Sequence, residues 1–153
     1  MSLGQLLFSF QGRINRKPWW LTSLAIGAVM LVIIIIAALA AGGALISNDP
    51  AAILGALGGL ALLILILAIP LIWIGLALGA KRLHDRNKSA WWLVVFYLVP
   101  GVLQGIGEQV GGVGLILSLA GFAISIWGLV ELGFLRGTVG PNQYGSDPLE
   151  GQV

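Results

Sequence analysis

Four long apolar segments dominate this sequence and constrain its fold more than any other feature. They run from Trp19 to about Gly42, from about Ala51 to Ala80, from Trp91 to about Gly107, and from about Val113 to Leu135. A helix needs about 20 mainly apolar residues to cross the hydrocarbon core of a bilayer. Charged residues make up 9% of the chain, whereas about one quarter is usual in soluble domains. The sequence therefore predicts an all-α membrane protein with four transmembrane helices, at about 19–42, 51–80, 91–107 and 113–135.

The second apolar segment is longer than a single span requires. Its residues, 51–80, would form a helix of about 45 Å at 1.5 Å per residue, against a hydrocarbon core of about 30 Å. Pro70 lies inside this segment. We therefore expect this helix to tilt, to kink at Pro70 or to protrude into the cytosol.

The basic residues lie only in the chain ends and in the connection between the second and third apolar segments. All 8 lysines and arginines fall within residues 1–18, 81–90 and 136–153, and the connections around residues 47–50 and 104–112 hold none. The positive-inside rule places basic connections in the cytoplasm. Both termini are therefore predicted to be cytoplasmic. The whole chain, residues 1–153, is predicted to be a single transmembrane domain formed by two helical hairpins.

Tryptophan pairs open the first and third apolar segments. Trp19-Trp20 and Trp91-Trp92 each follow a basic cluster closely along the chain. Indole rings prefer the headgroup level of a bilayer, so we expect these four residues to anchor the helices at the interface.

The first residues of the chain, "SLGQLLFSFQG" (2–12), carry apolar side chains at helical spacing. Ser2 is a suitable N-cap residue, and Gly12 is a suitable residue at which a helix ends. The pattern predicts a short amphipathic helix that lies in the cytoplasmic interface. A frayed tail is the alternative.

The residue types that are scarce in this chain disfavour several classes of function. It has no cysteine and one histidine, His84, so a protein-bound metal centre is not expected. A net charge of +2 is too small for the basic face of a nucleic-acid-binding protein. His84 and Asp85 are adjacent, so on a helix their side chains diverge by about 100° and cannot pair as an oriented catalytic base. We therefore predict no metal, cofactor, nucleic-acid partner or catalytic residue.

Glu131 is the acidic residue inside an apolar segment, and an intramembrane carboxylate is by default a candidate for function. Arg136 lies about one turn further along and offers an ion-pair partner near the cytoplasmic end. The same helix carries a stripe of small residues at Gly114, Ser118, Gly121, Ser125 and Gly128. Such a stripe permits close approach of another helix, within the chain or in a homo-oligomer.

Three polar segments, "FQGRINR" (10–16), "KRLHDRNKSAWW" (81–92) and "GPNQYGSDP" (140–148), resemble the signature segments of the DUF805 family. The resemblance implies a small four-helix protein of the bacterial cytoplasmic (inner) membrane, with no known activity. Lys81 stands where that family usually has arginine, and lysine lacks the bidentate donor fork. The residues that match motif positions are Arg13, Arg16, Arg82, His84, Asp85, Asn142, Tyr144 and Asp147.

These matching residues all lie in the predicted cytoplasmic segments. They form either a ligand-binding polar cluster or an architectural one in which Asp85 and Asp147 hold arginines. Arginine forks suit phosphate, so we predict a non-enzymatic membrane protein whose cytoplasmic face binds an anionic phospholipid headgroup, a small anion or a protein partner. A transporter or channel that uses Glu131 is the alternative, and a lipid-modifying enzyme is a third interpretation.

Overall fold

The fold, described by a computed structural model for residues 1–46 and 49–151, is built from helices. An isolated bridge between Asn142 and Gly145 is the β-type pairing in this part of the chain. The prediction of an all-α architecture is confirmed. The α-helices are α1 (Leu3–Phe8), α2 (Arg16–Ile46), α3 (Pro50–Asp85), α4 (Val99–Gly107) and α5 (Gly114–Leu129). A π-helix at Val94–Leu98 leads into α4, a 3-10 turn at Gly111–Val113 precedes α5, and a second π-helix at Val130–Phe134 follows it.

Three helices are long and apolar enough to cross a membrane: Arg16–Ile46, Pro50–Asp85 and Gly111–Phe134. They correspond to the first, second and fourth predicted segments. The third segment forms a shorter apolar helix, Val94–Gly107, which is about 21 Å long at 1.5 Å per residue. The count of four spans therefore stays a prediction.

The second long helix, α3, is continuous through Pro70 and extends beyond the predicted end at Ala80. Lys81 to Asp85, which were expected in a cytoplasmic connection, form its last turns. Their side chains are held by other parts of the chain, as described below, so the helix continues where apolar character stops. Its length is about 54 Å.

The described residues form two compact units, one of residues 21–75 and one of residues 1–20 with the chain from Leu76 onward. The second of these units holds every candidate site residue. Its helices α4 and α5 pack closely through the predicted small-residue stripe. A Cβ added at Gly121 would lie 3.0 Å from the Pro100 carbonyl oxygen, and one added at Gly128 would lie 3.0 Å from Phe96. The stripe therefore packs within the chain, and a homo-oligomer stays a prediction.

The N-terminal helix α1 has the predicted cap at Ser2. The Ser2 hydroxyl accepts a hydrogen bond from the Gln5 backbone N–H at 3.2 Å, and the Gln5 side chain accepts one from the Ser2 N–H at 3.0 Å. This reciprocal capping box satisfies two N–H groups that a helix start leaves unpaired. The helix ends at Phe8, before the predicted end near Gly12.

Candidate functional site

A buried charged cluster lies at the C-terminal end of α3, centred on Asp85. Arg13 donates from Nε and Nη2 to Asp85 Oδ1 at 3.2 Å and 3.1 Å, and Arg82 Nη1 donates to Oδ2 at 2.5 Å. The side chains of Arg13, Arg82 and Asp85 are 1%, 0% and 3% exposed. We call these three residues the Asp85 cluster. Each carboxylate oxygen thus has its own guanidinium.

The remaining donors of Arg13 bind the backbone of the C-terminal segment. Nη1 donates to the carbonyl oxygens of Gly140 at 2.8 Å and Gly145 at 3.1 Å, and Nη2 donates to that of Thr138 at 2.7 Å. With the two bonds to Asp85, these contacts use all five N–H groups of a guanidinium. Arg13 therefore ties the N-terminal and C-terminal segments to α3 and has no donor left for a ligand.

Arg82 connects the same carboxylate to the end of the helix that begins with α5. Its Nε donates to the Leu132 carbonyl at 2.7 Å, and Nη2 donates to the Leu135 carbonyl. The last carbonyls of a helix lack intrahelical partners and carry partial negative charge. The buried Arg82 guanidinium gives these carbonyls hydrogen-bond donors and offsets their negative charge. Arg82 therefore holds parts of the protein together, as Arg13 does.

His84 and Asp85 contact different partners, as adjacent positions on a helix require. The His84 ring stacks on Tyr144 with centroids 3.9 Å apart and an interplanar angle of 7°. Its Nδ1 lies 3.2 Å from the Gly12 carbonyl oxygen, and because a carbonyl only accepts, we assign the proton to Nδ1. Asn142 Nδ2 donates to the His84 carbonyl at 2.9 Å. His84 therefore joins all three signature segments.

Asp147 organises the C-terminal turn and binds no arginine side chain within the described ranges. Its carboxylate accepts from the backbone N–H groups of Leu149 and Gly140, each at 2.9 Å. These two donors, that of Leu149 first, lower the pKa of Asp147 below its usual value. Asn142 Oδ1 accepts from the Tyr144 N–H at 2.9 Å. These bonds hold the segment 140–148 in one shape, as its turn residues predict.

Lys81 and Arg16 each bind the end of a helix. The buried Lys81 Nζ donates to the carbonyl oxygens of Gln5, at 2.8 Å, and Leu6 in α1. An ammonium can meet these two carbonyls without a planar fork, which explains how lysine serves at this position. Arg16 is exposed, and its Nη1 donates to the Phe134 carbonyl at 2.9 Å.

Glu131 lies in the π-helix after α5 and is the centre of a second charged cluster. Its Oε1 accepts from Arg86 Nε at 2.9 Å and from Lys88 Nζ at 2.8 Å. The sequence offered Arg136 as the partner, and that expectation is wrong. The helical backbone ends at Leu135, which is extended, and Arg136 contributes its carbonyl oxygen to Arg86 Nη1. We call Arg86, Lys88 and Glu131 the Glu131 cluster.

The turn after α3 positions both cations of the Glu131 cluster. Asn87 has a left-handed backbone with φ of 56°. The Lys88 N–H donates to the Leu83 carbonyl at 2.8 Å and the Asn87 N–H to the His84 carbonyl at 2.9 Å. This is a Schellman motif, in which Asn is the usual substitute for Gly. The asparagine that follows the basic turn is the sequence signal that could have located it.

The four tryptophans differ in their surroundings. Trp19 is buried, and Trp20 Nε1 donates to the Gly133 carbonyl at 2.9 Å. Trp91 is largely exposed and Trp92 is half-buried. The expectation that all four anchor the helices at an interface therefore stays a prediction, most directly for Trp91.

Comparisons with known proteins confirm the family resemblance of the three sequence segments that meet here. Residues 7–146 match the family described as "Protein of unknown function (DUF805)". The chain belongs to the DUF805 family. It is 31% identical over 158 residues to the uncharacterized protein YiiR of Escherichia coli strain K12, which covers 96% of this chain and 90% of YiiR. The YiiR protein of Escherichia coli O157:H7 gives the same values. No solved structure matches the chain.

In this DUF805 chain the three signature segments, far apart in sequence, meet around the end of α3. Arg13 and Arg82 both bind the Asp85 carboxylate. The neighbouring His84 meets Gly12 through Nδ1 and Asn142 through its backbone carbonyl. Arg16 and Asp147 lie at the edge of this arrangement, where both line a small cavity of about 20 Å³. Within the described part of the chain, no group of three or more His, Cys, Asp or Glu side chains could hold a metal ion.

Proposed function

We propose that this DUF805 protein is a single transmembrane domain of the bacterial cytoplasmic membrane that binds anionic phospholipid headgroups at its cytoplasmic face and catalyses no reaction. The observation that carries the proposal is the division of its eight basic residues into two sets. Three are buried and bonded inside the protein, namely Arg13, Lys81 and Arg82. Five are partly or fully exposed, namely Arg16, Lys17, Arg86, Lys88 and Arg136.

The ion pairs support a common side for both termini. Arg13 precedes α2 and binds Asp85 at the end of α3, and Glu131, at the end of the last long helix, binds Arg86 just after α3. Charged groups are costly inside a bilayer, so ends joined by ion pairs are expected on one side. The abundance of basic residues there makes that side cytoplasmic.

The packing of α4 on α5 supports a fourth span. Gly107 lies against Gly114, Pro100 against Gly121, and Phe96 against Gly128. Because one number falls as the other rises, the two helices run antiparallel. The third segment therefore follows most of a helix that is itself long enough to cross a membrane, and we propose that it crosses too.

A phospholipid suits the exposed cations better than a soluble partner does. They border helices whose apolar side chains are widely exposed, and lipid tails would cover such surfaces. An anionic leaflet attracts nearby cations by about 1 kcal/mol for each lysine or arginine. We favour binding over transport because the Glu131 carboxylate is already held by two cations.

The topology is tested by labelling single introduced cysteines, since the chain has none of its own. Gly112→Cys and Ser146→Cys place a thiol at exposed positions after α4 and in the C-terminal segment. In intact spheroplasts, a membrane-impermeant maleimide should label the protein at position 112 but reach position 146 only after permeabilisation. Labelling of both positions in intact spheroplasts, or the reverse pattern, would contradict the proposed orientation.

Lipid binding is tested by native mass spectrometry of the purified protein with equal amounts of phosphatidylglycerol and phosphatidylcholine. We expect the protein to retain phosphatidylglycerol at least about fivefold in preference, the equivalent of about 1 kcal/mol. Replacing all five exposed cations with glutamine should abolish the preference. Glu108→Gln, an exposed change in the connection after α4, should leave it intact. Equal retention of both lipids by the unmodified protein would refute the proposal.

A further inference from the structure

We infer that the Glu131 cluster is the position where the phosphate of a membrane phospholipid binds, an inference that rests on the proposed function. Arg86 and Lys88 would donate to the phosphate oxygens. Glu131 would position these two side chains without touching the ligand.

The hydrogen-bond donors of the two charged clusters are used differently. In the Asp85 cluster, all five N–H groups of the Arg13 guanidinium donate hydrogen bonds to other protein groups. In the Glu131 cluster, Arg86 donates from Nε and Nη1, and its Nη2 binds no residue of the described ranges. Lys88 Nζ has a single hydrogen-bond acceptor there, the Glu131 carboxylate, although an ammonium has three N–H groups. Arg82 makes three hydrogen bonds and is fully buried, so of the two clusters it is the Glu131 cluster that keeps donors within reach of a ligand.

Exposure and charge in this cluster also favour an anion. The Glu131 side chain is 4% exposed, whereas those of Arg86 and Lys88 are 25% and 30% exposed. An approaching anion therefore meets the two cations while the carboxylate stays behind them. Two positive charges and one negative charge leave the cluster with a net charge of +1, and charge-assisted bonds to phosphate are among the strong hydrogen bonds of proteins.

The two cations are held in place before any ligand arrives. Arg86 and Lys88 flank the left-handed Asn87 in the Schellman turn, and both reach the same oxygen of Glu131. Long basic side chains usually lose rotamer freedom when they bind. Here part of that cost is met by folding, and such preorganisation raises affinity.

Aromatic side chains beside the cations favour a lipid over a free phosphate ion. Lys88 Nζ lies 5.3 Å from the ring centroid of Trp92, and Trp92 and Trp127 pack edge to face with centroids 5.4 Å apart. Trp127 precedes Glu131 by about one turn and is 43% exposed. A cationic group that lies over one indole, with a second and more exposed indole packed beside it on a long apolar helix, matches a phosphate joined to acyl chains.

The test compares two variants with the same net charge. Replacing Arg86, Lys88 and Glu131 together with glutamine removes two positive charges and one negative charge, so the net charge falls from +2 to +1. Gln143→Glu, an exposed change in the C-terminal segment away from the five cations, lowers it equally. Because the triple variant removes the whole cluster, it leaves no buried unpaired charge. Size-exclusion profile and thermal stability would show that both variants fold.

Affinity for phosphatidylglycerol is measured by native mass spectrometry, with inorganic phosphate as competitor. We expect the triple variant to bind at least about tenfold more weakly and Gln143→Glu to stay within about threefold of the unmodified protein. Millimolar inorganic phosphate should not displace the lipid. If the triple variant does not fold, Lys88→Gln keeps the Arg86–Glu131 pair and should weaken binding by about three- to fivefold.

The outcomes separate this inference from the proposed function. Equal effects of the triple variant and of Gln143→Glu would refute the Glu131 cluster as the binding position, while lipid binding itself would stand. Displacement of the lipid by inorganic phosphate would show a free-anion site and overturn the assignment to a phospholipid. Absence of any preference for phosphatidylglycerol in the unmodified protein would refute the proposed function itself.

Discussion

Asp85→Asn is expected to lower the free energy of unfolding by about 3–5 kcal/mol, because it removes the carboxylate that two buried guanidinium groups share. The side chains of Arg13 and Arg82 are 1% and 0% exposed, so water cannot solvate their charges once the carboxylate is neutralised. Both arginines also hold backbone carbonyls of the C-terminal half, and we expect those contacts to loosen. Unfolding in detergent, followed by circular dichroism during a denaturant titration, measures the change.

Glu108→Gln is the control for this prediction. It also removes one negative charge, but Glu108 is exposed in the connection after α4. A surface substitution of this kind usually changes the free energy of unfolding by no more than about 0.5 kcal/mol. Equal and small effects of Asp85→Asn and Glu108→Gln would show that the Asp85 cluster contributes little to stability.

Gly137→Ala is expected to lower the free energy of unfolding by about 3 kcal/mol, the upper part of the range for overpacking. Gly137 has no left-handed backbone angle, so the constraint is space. A Cβ at this position would overlap the Asp85 carboxyl group, whose position is fixed by Arg13 and Arg82. The same denaturant titration measures the loss.

A double-mutant cycle shows whether Gly137→Ala acts through Asp85. If it does, Asp85→Asn and Gly137→Ala combined should cost clearly less than the sum of the two single changes. Gly105→Ala in α4 is the control, since a Cβ there has no atom within 4 Å, and alanine favours a helix by about 0.5–1 kcal/mol over glycine. Additive losses would mean that Gly137 is required for another reason.

The two charged clusters indicate different roles for residues that look alike in the sequence. Arg13 and Arg82 match family motif positions, yet their donors hold the N-terminal segment, α3 and the C-terminal segment together. Arg86 and Lys88 match no motif position that the sequence singled out, yet they keep exposed donors. The motif residues are therefore best understood as the support on which the more exposed cations are placed.

Much of the fold could be predicted from the sequence, because helix length, hydropathy and capping depend on neighbouring residues. The all-α architecture and three long apolar helices follow from uninterrupted apolar runs. The cap at Ser2 follows from a serine three residues before a glutamine. The close packing of α4 on α5 follows from the spacing of Gly114, Gly121 and Gly128.

The helix ends were predicted less well, because they depend on contacts with distant residues. Lys81 to Asp85 look like a charged connection, yet they are helical because the carbonyls of α1 and the ends of other segments receive their side chains. The third segment is shortened at its start by the Schellman turn at Asn87 and the residues that follow it.

The sequence by itself determined that this chain is helical, apolar enough for a membrane, and basic in three separated segments. Only the tertiary structure decided which carboxylate each cation meets. Arg13 and Asp85 are 72 residues apart, and Glu131 meets Arg86 rather than the nearer Arg136. An ion pair forms where packing brings two charges within about 4 Å, and spacing along a chain does not encode that distance.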